Sequence, residues 1–201
     1  MRFAVIFLAL IFAGCAGPNP NPGERTADIA WSKYDYPNAL GILEPAAERG
    51  EPWAQVRLGV GYELGAGYQK DIPKAIYWYK KAAVQMAEGN WANGLLVGAA
   101  GKTGYFNQNS DALVAQHQLA GIYSRGEGIE KDLVKAYLLE KNVSKLSEGK
   151  SIFYCCEFSG GRYITAESIS GLLQSIEKLM SDAEKKESAS KLLSWDVKNG
   201  L

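Results

Sequence analysis

The residues of this chain that could do covalent chemistry are few and scattered. Histidine occurs once, as His117, so a His-rich metal site cannot form and a Ser-His-Asp triad lacks a convincing partner set. The chain contains no Gly-x-Ser-x-Gly elbow, no phosphate loop and no His-Glu-x-x-His. Gly65-Ala66-Gly67 and Gly126-Glu127-Gly128 superficially suggest nucleotide loops. Each follows a helical pattern rather than a strand, so both read as helix ends. The three cysteines are Cys15 and the adjacent pair Cys155 and Cys156. Neighbouring Cα atoms sit about 3.8 Å apart, shorter than disulfides prefer. A vicinal disulfide would therefore be strained; the alternative is two thiols with at least one side chain buried. No catalytic residue, cofactor or metal is expected.

The elements that would have to position any site are written as a repeat. Ala54-Gln55-x-x-Leu58-x-x-x-Tyr62-x-x-Gly65-x-Gly67-x-x-Lys70-Asp71-x-x-Lys74-Ala75 recurs without a gap from Ala115-Gln116 to Lys135-Ala136. Every one of the ten matched positions is displaced by 61 residues. Internal repeats of this kind imply stacked helix pairs and an extended surface rather than a closed pocket.

Helical spacing within the unit is clear. Ala54, Leu58, Gly59 and Tyr62 share one face of a helix over 53–65, and the small residues admit a close neighbour. Gly65 to Gly67 ends it. Asp71 is a natural N-cap with Pro73 in the first turn of a second helix over about 72–86. Ala75, Trp78, Tyr79, Ala82 and Ala83 form its apolar face. Ala39 to Ala46-Ala47 reproduces the spacing of Ala75 to Ala82-Ala83, so a second helix of an earlier pair is expected there, kinked or restarted at Pro45. Ala92-Asn93-x-x-Leu96 suggests a degenerate first helix over 91–101, with a turn-rich stretch and a notch beside Tyr105 and Phe106 in place of its partner. A short helix and a Gly160-Gly161 turn are expected over 151–164. From Thr165 the periodicity is helical again, with Ile169, Leu172, Leu173, Ile176, Leu179 and Met180, then Ala183, Ala189, Leu192 and Leu193. A terminal cap with one polar face suits that stretch.

The order Ala-Gln, Leu-Gly, Tyr, Gly-x-Gly, Lys-Asp, Lys-Ala, Trp-Tyr, Ala-Ala over 54–86 resembles the Sel1-like repeat, a short helix hairpin related to the tetratricopeptide. The copy over 115–142 is weaker, with Leu139, Glu140 and Ser144 at the places of Trp78, Tyr79 and Ala83. The resemblance implies an all-α fold: an α/α solenoid of Sel1-like hairpins over 31–150, closed by a C-terminal helical cap over 151–201.

The chain opens with Met1-Arg2 and an apolar run from Phe3 to Phe12, too short to span a bilayer and suited to a signal peptide over 1–14. Phe12-Ala13-Gly14-Cys15 resembles the bacterial lipoprotein cleavage box, with Phe12 where Leu is usual. That resemblance implies lipidation at Cys15; the alternative is ordinary signal cleavage near Gly14 to Gly17. No Asp adjoins Cys15, which by the same resemblance points to the outer membrane, facing the periplasm. Alternating Pro18, Pro20 and Pro22 make 15–30 a tether. Charges balance at 22 basic and 22 acidic, without the basic stripe that nucleic acid needs.

With Leu58 and Tyr62 turned inward, the opposite face of that helix carries Trp53, Val56, Arg57, Val60, Glu63 and Leu64. Corresponding positions further on include Trp91, Lys102, His117 and Arg125. First helices line the concave side in tetratricopeptide-like solenoids, so the resemblance makes this a protein-binding face, with Trp53 and Trp91 as anchors. The expected function is a non-catalytic interaction module, a periplasm-facing scaffold or adaptor. The alternative is an immunity protein that neutralises a secreted, phospholipase-type antibacterial effector. The expected partner is thus another protein, an effector or envelope component, with no small-molecule substrate. A cell-wall or β-lactam hydrolase is the third reading; such relatives carry regularly spaced cysteines that this chain lacks.

Overall fold

The computed structural model describes residues 22–85, 91–92, 105–106, 110–153 and 163–201. Its fold is an all-α solenoid. The first pair is α1 (Pro22–Ser32) and α2 (Tyr36–Glu48), followed by α3 (Pro52–Leu64) with α4 (Ile72–Ala83) and α5 (Ser110–Arg125) with α6 (Leu133–Ser147). Helices α7 (Ala166–Leu179), α8 (Asp182–Lys191) and the short α9 (Val197–Gly200) close the C-terminal end.

The repeated residues build the same joints twice. Gly65 and Gly126 take left-handed φ values of 72° and 67°, which glycine alone adopts without strain. Each donates its N–H back into its helix, to the Gly61 and Ile122 carbonyls. Asp71 and Asp132 then cap the next helix, each Oδ1 accepting from the N–H of Lys74 or Lys135 at 2.9 and 2.8 Å. Their own N–H groups donate to Tyr62 and Tyr123 carbonyls, locking the hairpin. The Lys74 and Lys135 ammonium groups sit over the rings of Tyr62 and Tyr123, at 5.3 and 5.0 Å.

Neighbouring pairs are joined by the repeated Gln. Gln55 donates through Nε2 to the Ala47 carbonyl at the end of α2, at 3.1 Å. Gln116 does the same to Ala83 at the end of α4, at 3.0 Å. Each clip adds a side-chain donor to a carbonyl at a helix C-terminus, where the helix's own N–H groups run out. Gly67 packs on Tyr36 and Gly128 on Ile72, the first residues of α2 and α4. The α1–α2 pair is therefore a full unit, and α2 runs through Pro45 without interruption.

Three expectations are corrected here. Residues 22–30 are helical, not tether, because Ala27 and Trp31 find apolar partners on α2 and α3. Trp91–Ala92 is not a degenerate helix but β1, antiparallel to β2 (Tyr105–Phe106), with Trp91 opposite Phe106. The glycines at 94, 98, 101 and 104 weaken any helix between them; residues 93–101 and the side chains of the expected notch lie outside the described residues. Over 151–164 the described ends form β3 (Ile152–Phe153) and β4 (Tyr163–Ile164), antiparallel, where helix was expected to begin; residues 154–162, with the Gly160-Gly161 turn, lie outside the described residues. Aromatic and β-branched residues favour that extended pairing. The cap also differs in detail: Ile169, Leu173, Ile176 and Met180 are buried, whereas Leu179, Leu192 and Leu193 are exposed.

Candidate functional site

Among the first helices of successive pairs, α3 packs directly on α5, whereas α1 reaches α3 through the side chains of Arg57 and Trp31. Leu58 faces inward as expected, but the far side of α3 is not open. Trp53 is 7 % exposed and sits in a core cluster with Ala27, Leu43 and Leu58. Its Nε1 donates to Glu51 Oε2 at 2.6 Å. Val56 is buried in the larger cluster shared with α4, α5 and α6. Trp53 and Val56 are thus core residues: α3 is packed on both sides, by α1 and α2 and by α4 and α5. Helix α5 is likewise in contact with β3.

Arg57 joins three helices. Its Nε donates to Asp28 Oδ1 at 2.8 Å and Nη2 to Glu24 Oε1 at 3.0 Å, both on α1. Nη1 donates to the Trp53 carbonyl at 3.2 Å and lies 4.0 Å from Asp111 Oδ1 on α5. Burial, opposed by the Arg57 charge and helped by Asp111 and Asp28, pushes the Glu24 carboxyl up to about 7. Burial likewise pushes Asp111 up to about 6 against the pull of Arg57. Burial disfavours the Arg57 charge, but the Asp28 hydrogen bond and the surrounding carboxylates more than offset it, and its pKa is raised. Arg57 is a structural hub in this arrangement rather than an open contact.

Glu63 bridges the units: Tyr79 donates its hydroxyl to Oε2 at 2.8 Å and Arg125 its Nη2 to Oε1 at 3.1 Å. Arg125 continues to Glu127, which accepts from Lys70 Nζ at 2.7 Å. His117 Nδ1 lies 2.8 Å from Glu140 Oε1. The Glu140 side chain is fully buried, its Oε2 has no hydrogen-bond partner among the described residues, and burial raises its pKa despite the His117 bond. That pair occupies the positions of Val56 and Tyr79 one repeat earlier.

Of the expected docking residues, Leu64 is 70 % exposed and the Arg125 side chain 51 %. Val60, Glu63 and His117 are partly buried. Trp91 is held in β1 and its side chain lies outside the described residues, as do Lys102, Cys15, Cys155 and Cys156. A cleft of about 930 Å³ opens elsewhere, between α4, the α5–α6 turn and the C-terminal segment, lined by Ile76, Lys80, Tyr123, Lys131, Leu138 and Trp195 among others. Sequence reasoning missed Glu24, Asp28 and Asp111. Glu24 and Asp28 are four apart and share one helix face, a signal that becomes usable only once 22–32 is read as helix.

Residues 54–83 and 113–139 match the family model described as Sel1 repeat. This chain carries two Sel1 repeats. They coincide with α3–α4 and α5–α6, the two units in which every joint above is duplicated. Among solved structures the Sel1-repeat chain is similar to c5321, a protective antigen present in uropathogenic Escherichia coli strains displaying an SLR fold. The identity is 20 %, the TM-score 0.57, and the alignment covers 86 % of this chain. The chain spans 28 % of that protein's length, and the likeness is one of fold. No curated protein matches it in sequence. Sel1 repeats in this arrangement make a protein-interaction module in the general sense. No helix among the described residues is long and apolar enough to cross a membrane.

Proposed function

We propose that this Sel1-repeat chain is a non-catalytic scaffold or adaptor, tethered to the outer membrane through a lipid on Cys15 and facing the periplasm. One observation carries the interaction reading. Gln55 and Gln116 clip successive helix pairs in one register, so side chains on separate units, such as Leu64 and Arg125, are held at fixed spacing. A rigid array of separated contacts suits a protein partner, because little side-chain order remains to be lost on binding. The exposed Leu64 and Arg125 replace Trp53 as the proposed anchors.

Crosslinking with mass spectrometry in envelope fractions tests the reading. Leu64→Asp combined with Arg125→Ala is expected to remove crosslinks between α3–α5 and a defined partner while helicity is kept. An unchanged crosslink set places the interface elsewhere. Cys15→Ser is expected to move the chain from the membrane to the soluble fraction; retention in the membrane rejects the lipid anchor without touching the interaction reading.

A further inference from the structure

Helix α1 is held to α3 mainly by polar contacts. Its fully buried apolar residue is Ala27, and Trp31 is only partly covered where its ring approaches Gly61. The apolar area removed from water is correspondingly small. Glu24 and Asp28, by contrast, both reach Arg57, and their side chains are 15 % and 13 % exposed. Asp111 faces the same guanidinium from α5.

Among the described residues one guanidinium faces three carboxyls, an excess of two negative charges when all three are ionised. A poorly solvated site relieves such an excess by keeping protons. Among the described residues, the charged groups that bear on Glu24 are Arg57 from α3, Asp28 from its own helix and Asp111 from α5. Those that bear on Asp111 are Arg57 and Asp28. Helix α2, packed against α1, contributes no charge to either.

We propose that Glu24, Asp28, Arg57 and Asp111 form an acid-tightened latch that docks α1 on α3 while the spare carboxyls carry protons and loosens it as they ionise. The direction of both shifts supports it: Glu24 and Asp111 retain protons to about 7 and about 6. Release of α1 uncovers Arg57 on the α3–α5 surface and removes two of its acidic partners. The latch thereby regulates the surface proposed above as a docking face; that consequence rests on the interaction reading, whereas the latch itself does not.

Hydrogen–deuterium exchange of the full chain between pH 5 and 8 is the test, each rate divided by the intrinsic chemical rate at that pH. Protection over 23–32 is expected to fall by at least about tenfold towards pH 8, the factor one pKa unit represents. Protection of α5 is expected to hold. Glu24→Gln with Asp111→Asn is expected to keep α1 protected at pH 8. Should that double variant lose helicity, Glu24→Gln alone carries the test, since its amide still accepts from Arg57. Flat protection of 23–32 across the range, or the same decline in the variant, overturns the latch. Neither result depends on whether a partner binds, so the two proposals fail separately.

Discussion

Gln116 reaches back across the repeat boundary and donates its side-chain N–H to the carbonyl of Ala83, 3.0 Å away. Its Oε1 accepts from Asn142 Nδ2 at 2.7 Å, so one buried amide ties α4, α5 and α6. Gln116→Ala strands the buried Ala83 carbonyl and the partly buried Asn142 amide at once. A loss of about 1–3 kcal/mol is expected, the cost of leaving such a group unsatisfied. Urea unfolding measures it, and a change under about 0.5 kcal/mol, the scale of an ordinary surface substitution, would show the clip to be incidental. Gln116→Glu keeps the shape but loses the donor, and it should cost at least as much.

Gly59 and Tyr79 are matched to each other. A Cβ on Gly59 would lie 2.4 Å from the Tyr79 ring, which is fully buried and held by its bond to Glu63. The ring cannot retreat without breaking that bond. Gly59→Ala is expected to destabilise by about 1–3 kcal/mol, the range for overpacking, despite alanine's better helix propensity. Position 120, one repeat on, already holds alanine because Glu140 stands where the tyrosine would be. Combining Gly59→Ala with Tyr79→Leu should therefore recover part of the loss in a double-mutant cycle. Simple additivity of the two changes rejects the pairing.

His117 and Glu140 set a polar pair into a place that Val56 and Tyr79 fill apolarly one repeat earlier. His117→Val leaves the Glu140 carboxyl buried with neither oxygen partnered among the described residues. A loss of about 3–5 kcal/mol is expected, as for other broken buried pairs. His117→Val with Glu140→Met removes both polar groups and should be neutral or stabilising. If the double variant is as unstable as the single one, packing rather than charge governs the site. A fold that is retained but loses partner crosslinks would mark the pair as functional.

The joints of the repeat were readable because each rests on a local rule: glycine at a left-handed turn, aspartate at an N-cap, small residues where helices touch. Gly65, Asp71 and Gly59 needed no tertiary knowledge. The faces were harder. A helix wheel assigns Trp53 and Val56 to the side opposite Leu58, yet in a solenoid a first helix is packed by the units on both sides, so that side is also core. Helix α1 was obscured by the prolines before it and by how few apolar residues it buries. Its partner Arg57 looked like a docking residue because the carboxyls that neutralise it lie 29 to 54 positions away in sequence. The two-residue strands are too short to show any periodicity.

Acidity should stabilise this fold rather than weaken it. Glu24, Asp111 and Glu140 all have folded pKa values above their unfolded ones. A raised carboxyl contributes fully below its unfolded value near 4, and that contribution is lost as pH climbs through the folded value. For Glu24 and Asp111 the window runs up to about 7 and about 6. Glu51 shifts the other way, held down by Arg49, but it lies at the surface, where screening leaves such a bond little weight. The expected result is a Tm at pH 5 above that at pH 8 by at least about 3 °C, since one kcal/mol moves Tm by roughly 2–4 °C in a domain of this size. Glu24→Gln should narrow the difference by stabilising the protein at pH 8 alone. A Tm that rises with pH across this interval, in wild type and variant alike, would mean that the buried carboxyls are solvated well enough to ionise without cost.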